Sequence, residues 1–326
     1  MKSFRLKFNS YQKSIELRLK QLQTNRSPRS MHEPINYILS GGGKRIRPVL
    51  TLLAAEAVGG NFKSTIYAAV AIEILHNFTL VHDDIMDNAT SRRGRKTIHT
   101  KWDSNVAILS GDAMIAFAYN ELLKTKSKNI SEAISILTNG LFEVCEGQAY
   151  DKEFETQKNV SIKEYLKMID KKTAKMFSVA MEIGAVVGGG TQKEISALKS
   201  FGMLLGRAFQ IQDDLLDVIA DEKEFGKKIG GDIKEGKRTF LFLHALAKSN
   251  PNQKLLLQKV MLKKCKSTKE VENICKLYKT LGVIEIAKEA IKSNIFEAQK
   301  KLESLKNNES KKMFFWFANK IGERNN

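Results

Sequence analysis

The chain has 326 residues, 42% of them hydrophobic and 28% charged. These are the proportions of an ordinary folded protein and exclude a disordered chain or a fibrous repeat. Only 4 prolines are present, which favours long uninterrupted helices. Lys+Arg 54 against Asp+Glu 36 leaves a net charge of +18, a balance that suggests an anionic partner such as nucleic acid, a membrane surface or phosphorylated substrates.

The charge is not evenly spread. Residues 1–50 carry 11 basic and 2 acidic side chains, residues 251–326 carry 17 and 8, and the stretch between them carries 26 of each. The excess therefore lies at the two ends. Three cysteines, Cys145, Cys265 and Cys275, have no metal-ligand spacing, and their sparse odd number fits a reducing, cytoplasmic setting. The segment MKSFRLKFNS lacks the apolar core of a signal peptide, and no stretch reads as a membrane span.

In chain order, Phe4, Phe8, Tyr11, Ile15, Leu19 and Leu22 recur at helical spacing. Ser27-Pro28 and His32-Glu33-Pro34 are read as breaks. The apolar run Val49 to Val58 predicts a buried helix, and Ser64 to Asp87, without Gly or Pro, predicts a long core helix. Ser110 to Leu123 and Ser131 to Asp151 read the same way. Ser161 with Glu164 three residues on forms a capping box that opens a helix running to about Val187. Gln192 to Ala220 predicts another. The polar, Gly-containing stretch Asp221 to Thr239 reads as a functional loop, and helices resume from Phe240. With no alternating strand pattern, no repeat and no linker, the expectation is one all-α domain over 1–326, with a motif-bearing core at about 37–239 and a basic helical region at about 250–326.

The sharpest feature is Asp83-Asp84-Ile85-Met86-Asp87, which returns as Asp213-Asp214-Leu215-Leu216-Asp217. On a helix, positions i and i+4 share a face, so Asp83 and Asp87, and likewise Asp213 and Asp217, point the same way. Carboxylates so close repel one another, and beside apolar surroundings the cost rises. Hard divalent cations offset it, and Mg²⁺ characteristically bridges one or two carboxylates to substrate phosphates. Basic groups accompany the carboxylates. Lys44, Arg45 and Arg47 follow a glycine run, Arg92 and Arg93 follow the first cluster, Lys171 and Lys172 lie inside a helix, and Lys227, Lys237 and Arg238 follow the second cluster. Mg²⁺ on the aspartates with Lys and Arg at the rim would grip a diphosphate. The P-loop pattern is absent.

Six ordered motifs, GGGKRIRP, EILHNFTLVHDDIMDNATSRRG, EGQAYD, KTA, FQIQDDLLD and GKKIGGDIKEGKRT, resemble the trans-prenyltransferases, the head-to-tail isoprenyl diphosphate synthases, over about Tyr37 to Thr239. The resemblance implies the all-α isoprenoid synthase fold, a bundle around a central cavity. It implies Mg²⁺, three ions per site, on Asp83, Asp84 and Asp87 and, across the cavity, on Asp213, Asp214 and Asp217. Arg92, Lys172, Thr173, Gln210, Lys227 and Lys237 match the allylic diphosphate contacts. Lys44, Arg47, His76 and Arg93 match the isopentenyl diphosphate contacts, and Gln148 and Asp151 match a polar pair lining the cavity. Asp83, Asp84, Asp87, Lys172, Thr173, Gln210 and Asp213 would carry the catalysis. Pyrophosphate leaves the allylic substrate, the double bond of isopentenyl diphosphate attacks the allylic cation, and a proton is lost to the departing pyrophosphate.

Product length in such enzymes depends on the cavity floor below the first cluster. Phe78, five residues before Asp83 and roughly 7.5 Å down a helix, would block long chains. Thr79 is not a second aromatic, and the cluster has no insertion. FTLVHDDIMD resembles the geranylgeranyl type most, with a farnesyl or a longer-chain synthase as alternatives. His82-Asp83 as the metal pair of an HD-type phosphohydrolase leaves the second cluster and GGGKRIRP unexplained. A terpene cyclase would carry a different second metal motif, and a non-catalytic prenyltransferase subunit would have lost a cluster. Nucleic-acid binding has only the charge behind it. A homodimer is what the family suggests. The basic termini read as solvated surface, with weak association to anionic lipid as the alternative.

Overall fold

The computed structural model describes residues 2–23, 25–157, 159–219, 230–262, 265 and 267–323. Its elements are helices α1 (Lys2–Gln21), α2 (Arg29–Leu39), α3 (Ile46–Ala57) and α4 (Phe62–Met86), a hairpin of β1 (Ser91–Arg92) and β2 (Arg95–Lys96), α5 (Ile98–Lys101), α6 (Ser104–Leu122), α7 (Ile130–Thr156), α8 (Ile162–Ile169), a π-helical turn (Asp170–Ala174), α9 (Lys175–Val187) and α10 (Gln192–Ile219). After these come α11 (Gly231–Glu235), α12 (Phe240–Lys248), α13 (Pro251–Met261), α14 (Thr268–Thr280), α15 (Val283–Lys301), a 3₁₀ turn (Leu302–Ser304) and α16 (Glu309–Gly322). The all-α expectation holds, and the helices expected from apolar runs are present.

Three local readings are corrected. Pro34 lies inside α2 rather than ending a helix. Its missing N–H falls in the second turn, so it removes one early ladder bond and leaves the rest. A two-residue antiparallel pair, Ser91 with Lys96 and Arg92 with Arg95, stands where no strand was expected. It is too short for periodicity to reveal, and its turn is carried by Arg93 (φ 52°) and Gly94 (φ 73°), the two positive φ values of a tight hairpin. Helix α4 is also long and apolar enough, with mean hydropathy 1.3 over 18 residues, to cross a membrane by composition. That window is 67% buried in protein, the condition of a core helix.

The chain forms two compact units. The first comprises residues 1–140, 176–199 and 304–313. Here α4 packs along α6 and α3, and α1 closes over α3 and α4. Leu50, Leu53, Ile72, Leu75, Phe177 and Met181 are fully buried or nearly so, and Ile15 and Leu19 of α1 join them as its spacing predicts. The second unit comprises residues 141–175, 200–303 and 314–326. Its α12 packs against α8, α13, α14 and α15, and Phe201, Phe242, Tyr278 and Phe314 form its core. The Phe201 and Phe314 rings lie 5.4 Å apart. The Ser161–Glu164 capping box starts α8 as expected, with the Glu164 N–H donating to Ser161 Oγ at 3.2 Å.

Candidate active site

In the first unit, Asp83, Asp84 and Asp87 occupy the last turn and C-cap of α4. A helix C-terminus carries the negative end of the macrodipole, so three carboxylates there are repelled by the backbone as well as by one another. That arrangement is stable only with cations close by. One is built in. The β1–β2 hairpin turns Arg92 back so that its Nε donates to Asp84 Oδ1 at 2.7 Å. Asp84 is buried, and burial raises its pKa, a rise that the Arg92 charge only partly offsets.

The glycine run ends in a left-handed residue, Arg45 (φ 49°), which caps α3. This turn separates three neighbouring bases. Lys44 is exposed. Arg47 donates from Nη1 to His76 Nε2 at 3.1 Å, and its guanidinium lies 4.5 Å from the Phe177 ring centre. Burial, followed by the charges of Arg47, Arg93, Arg92 and Arg45, drives the His76 pKa well down, so the ring is neutral and can accept that bond. Arg93 Nη1 donates to the Gly42 carbonyl. Arg45, grouped by its neighbours with the diphosphate-binding bases, points inward instead. Its side chain is fully buried, with Nε 2.6 Å from Glu16, Nη1 2.5 Å from Glu73 and Nη2 donating to the Leu39 carbonyl at 3.1 Å. It is a structural ion-pair centre rather than a substrate contact.

Phe78 is buried, while the Thr79 hydroxyl donates to the His76 carbonyl at 2.8 Å.

In the second unit, Asp213, Asp214 and Asp217 lie in the last two turns of α10, again at the negative end of a helix. Asp214 is buried and enclosed. Its Oδ2 accepts from the Tyr165 hydroxyl at 2.5 Å and the Phe240 N–H at 3.0 Å, and its Oδ1 accepts from Gln210 Nε2 at 3.0 Å. Burial, with Asp232 adding to it, still pushes its pKa up to about 7. The two oxygens of Asp217 accept the N–H groups of Gly231 and Asp232, each at 3.1 Å, so this carboxylate anchors the start of α11.

The KTA motif falls in the π turn, a distortion common at functional sites. The turn sits tight against α7, where a Cβ at Gly147 would lie 2.2 Å from the Lys172 nitrogen, which accounts for the glycine in EGQAYD. Lys172 pairs with Asp151 at 2.6 Å, Gln148 is buried nearby in sequence on α7, and the Thr173 hydroxyl donates to Gln210 Oε1 at 2.8 Å. Lys237 lies 2.9 Å from Glu235 and 3.7 Å from Asp232. Lys227, and residues 221–229 of the loop expected at 221–239, lie outside the described residues, and the described remainder contains helix α11 where only loop was expected.

Sequence reasoning missed Tyr165 and the Arg207–Asp170 pair. Arg207 meets Asp170 with Nε at 2.8 Å and Nη2 at 2.5 Å, fixing the first residue of the π turn to α10. Neither stands in a motif of recognisable chemistry, and both owe their role to a partner distant in sequence.

Among the described residues no group of three or more His, Cys, Asp or Glu side chains is gathered tightly enough to cage a metal. The donor set nevertheless suits Mg²⁺. In each unit separately it consists of carboxylate oxygens at one helix end, and Mg²⁺ is usually held by one or two such groups, with waters and substrate phosphates completing the octahedron.

The sequence profile described as polyprenyl synthetase matches residues 28–278, further toward both ends than the motifs reach. A short chain isoprenyl diphosphate synthase of Methanothermobacter thermautotrophicus is 34% identical over 96% of both chains. A geranylgeranyl pyrophosphate synthase of Geoglobus acetivorans is 37% identical, also over 96% of both. The crystal structure of geranylgeranyl pyrophosphate synthetase from Pyrococcus horikoshii superposes with a TM-score of 0.92 at 35% identity, covering 99% of each chain. A decaprenyl diphosphate synthase of Rhodobacter capsulatus has the same fold, with a TM-score of 0.90 at 29% identity over 100% of this chain and 99% of its own. By sequence, fold and the chemistry of its aspartate and lysine positions, the chain belongs to the polyprenyl synthetase family of prenyltransferases.

Proposed function

We propose that this prenyltransferase condenses isopentenyl diphosphate head to tail with dimethylallyl, geranyl or farnesyl diphosphate, forming all-trans geranylgeranyl diphosphate and pyrophosphate. The observation that carries the reading is the pair of aspartate clusters at two helix C-termini, each accompanied by lysine or arginine. Relatives named as geranylgeranyl diphosphate synthases support the product, and a geranylfarnesyl diphosphate synthase at 35% identity keeps a longer chain as the second reading.

Within the clusters, Asp84, Asp214 and Asp217 accept hydrogen bonds from Arg92, Tyr165 and the α11 backbone respectively. All six aspartates, Asp83, Asp84, Asp87, Asp213, Asp214 and Asp217, are the carboxylates that would hold Mg²⁺, with three ions per site the expected number, since a carboxylate that accepts a hydrogen bond keeps lone pairs for a metal. Bound there, Mg²⁺ would neutralise the diphosphate and make pyrophosphate a better leaving group. The chain's own contribution is positional. Arg92, Lys172 and Lys237 supply charge to the allylic diphosphate, and Lys227 is assigned with them. Lys44, Arg47 and Arg93 receive isopentenyl diphosphate, and neutral His76 orients Arg47. Gln210 is held from both sides by Thr173 and Asp214, so its carbonyl dipole is fixed before the allylic cation forms. Separate sites for the two substrates convert their encounter into an oriented unimolecular step.

The same reading takes the two units as one catalytic domain and the enzyme as a cytoplasmic homodimer, on the family resemblance. Incubation with Mg²⁺, dimethylallyl diphosphate and isopentenyl diphosphate, followed by chromatography of the dephosphorylated products, tests it. A C20 alcohol is expected. Phosphate release without elongation would instead support a phosphohydrolase.

A further inference from the structure

Three residues fit together on the seam between α4 and α6, just before the first aspartate cluster. Phe78 and His82 lie one turn apart on α4, and their rings meet edge to face, 4.7 Å between centroids at 65°. From α6 the backbone comes so close that a Cβ at Gly111 would lie 2.2 Å from His82 Nε2 and 2.6 Å from Cδ2. No residue with a side chain fits there while the ring stays in place. His82 Nε2 is buried without a hydrogen-bond partner among the described residues. The Asp112 carboxylate stands off at 3.8 Å, beyond hydrogen-bond range. Contact with Gly111 and with Phe78, rather than a hydrogen bond to Nε2, therefore sets the position of the ring.

We infer that His82 and Gly111 are positioning residues for product length: His82, seated on Gly111, buttresses the Phe78 ring against the growing prenyl chain. The inference rests on the reading of Phe78 as the floor of the chain path. A phenyl ring stops a chain only if it has nowhere to turn, and close packing beside it removes that freedom. Taking away the imidazole leaves a void into which Phe78 can rotate, and the path lengthens. Adding a methyl at residue 111 expels the imidazole and has the same effect.

The test compares product distributions from Phe78→Ala, His82→Ala, Gly111→Ala and the His82→Ala/Gly111→Ala double variant, with melting curves for each. A purely structural role would lower melting temperature and total turnover without moving chain length. The expectation is that Phe78→Ala, His82→Ala and Gly111→Ala each raise the fraction of product one five-carbon unit longer by about tenfold, in the range one pocket methylene discriminates. In the His82→Ala background Gly111→Ala should add nothing, because the ring it displaces is gone. Longer products from Phe78→Ala with an unchanged distribution from His82→Ala overturn the inference and leave the Phe78 reading standing. An undiminished Gly111→Ala effect in the double variant also overturns it. An unchanged distribution from Phe78→Ala overturns both. Where Gly111→Ala does not fold, His82→Ala carries the test.

Discussion

Arg92 Nε lies 2.7 Å from Asp84 Oδ1, and this pair joins a two-residue hairpin to the end of the helix that carries the first aspartate cluster. Asp84 is 2% exposed, so its carboxylate depends on that partner. Removing the guanidinium should therefore act twice. Arg92→Ala is expected to cost about 2 kcal/mol in unfolding free energy through the unpaired carboxylate. It should also cost about 100-fold in kcat/KM through the lost charge on the diphosphate. Denaturant unfolding and steady-state kinetics read the two effects separately. Loss of activity at full stability would mean that Asp84 has another partner.

The enclosure of Asp214 predicts a pH dependence. An unfolded aspartate titrates near 3.9, whereas burial and Asp232 push this one up to about 7. Between those values the folded chain keeps a proton that the unfolded chain has released. Rising pH therefore lowers stability from about pH 4 to about pH 7, with no further contribution above that. Asp214→Asn carries no such charge. In metal-free buffer its melting temperature should fall less than that of the parent across this window. Parallel curves would contradict the assignment.

Asp213 and Asp217 are i and i+4 on one helix, and Asp217 also anchors the start of α11. Asp217→Asn loses part of the anchor for α11 and is expected to destabilise by about 1 kcal/mol, the usual worth of a cap. Asp213→Asn should remove most of the Mg²⁺-dependent activity. An unchanged melting temperature for Asp217→Asn would refute the anchoring role, and full Mg²⁺-dependent activity in Asp213→Asn would refute its metal role.

Neighbouring bases should differ in their effects. Arg45→Met breaks a buried network with Glu16 and Glu73, and such losses cost about 3–5 kcal/mol. Lys44 is exposed, so Lys44→Ala should cost far less stability than Arg45→Met and raise KM for isopentenyl diphosphate. Thermal melts of both variants, with kinetics for Lys44→Ala, check this.

These contrasts mark what the sequence could and could not reveal. Long helices were legible because apolar runs such as Ser64 to Asp87 contain no proline or glycine, and the paired DDxxD strings announced cation chemistry by residue type and spacing alone. Within each string the aspartates read alike. Which of them turns inward depends on Arg92, Tyr165 and the N–H groups of residues 231 and 232, and for Tyr165 no pattern in the chain points to the contact. Arg45 was misgrouped for the same reason. Beside Lys44 and Arg47 it reads as a third base, and only its left-handed backbone and two glutamate partners on other helices turn it into the core.

The central claim is that this chain joins isopentenyl diphosphate to an allylic primer. The most direct measurement is incorporation of labelled isopentenyl diphosphate with dimethylallyl, geranyl or farnesyl diphosphate in turn, with Mg²⁺ and with a chelator. Label should enter a C20 product from each primer and disappear with the chelator. No incorporation from any primer would contradict the account.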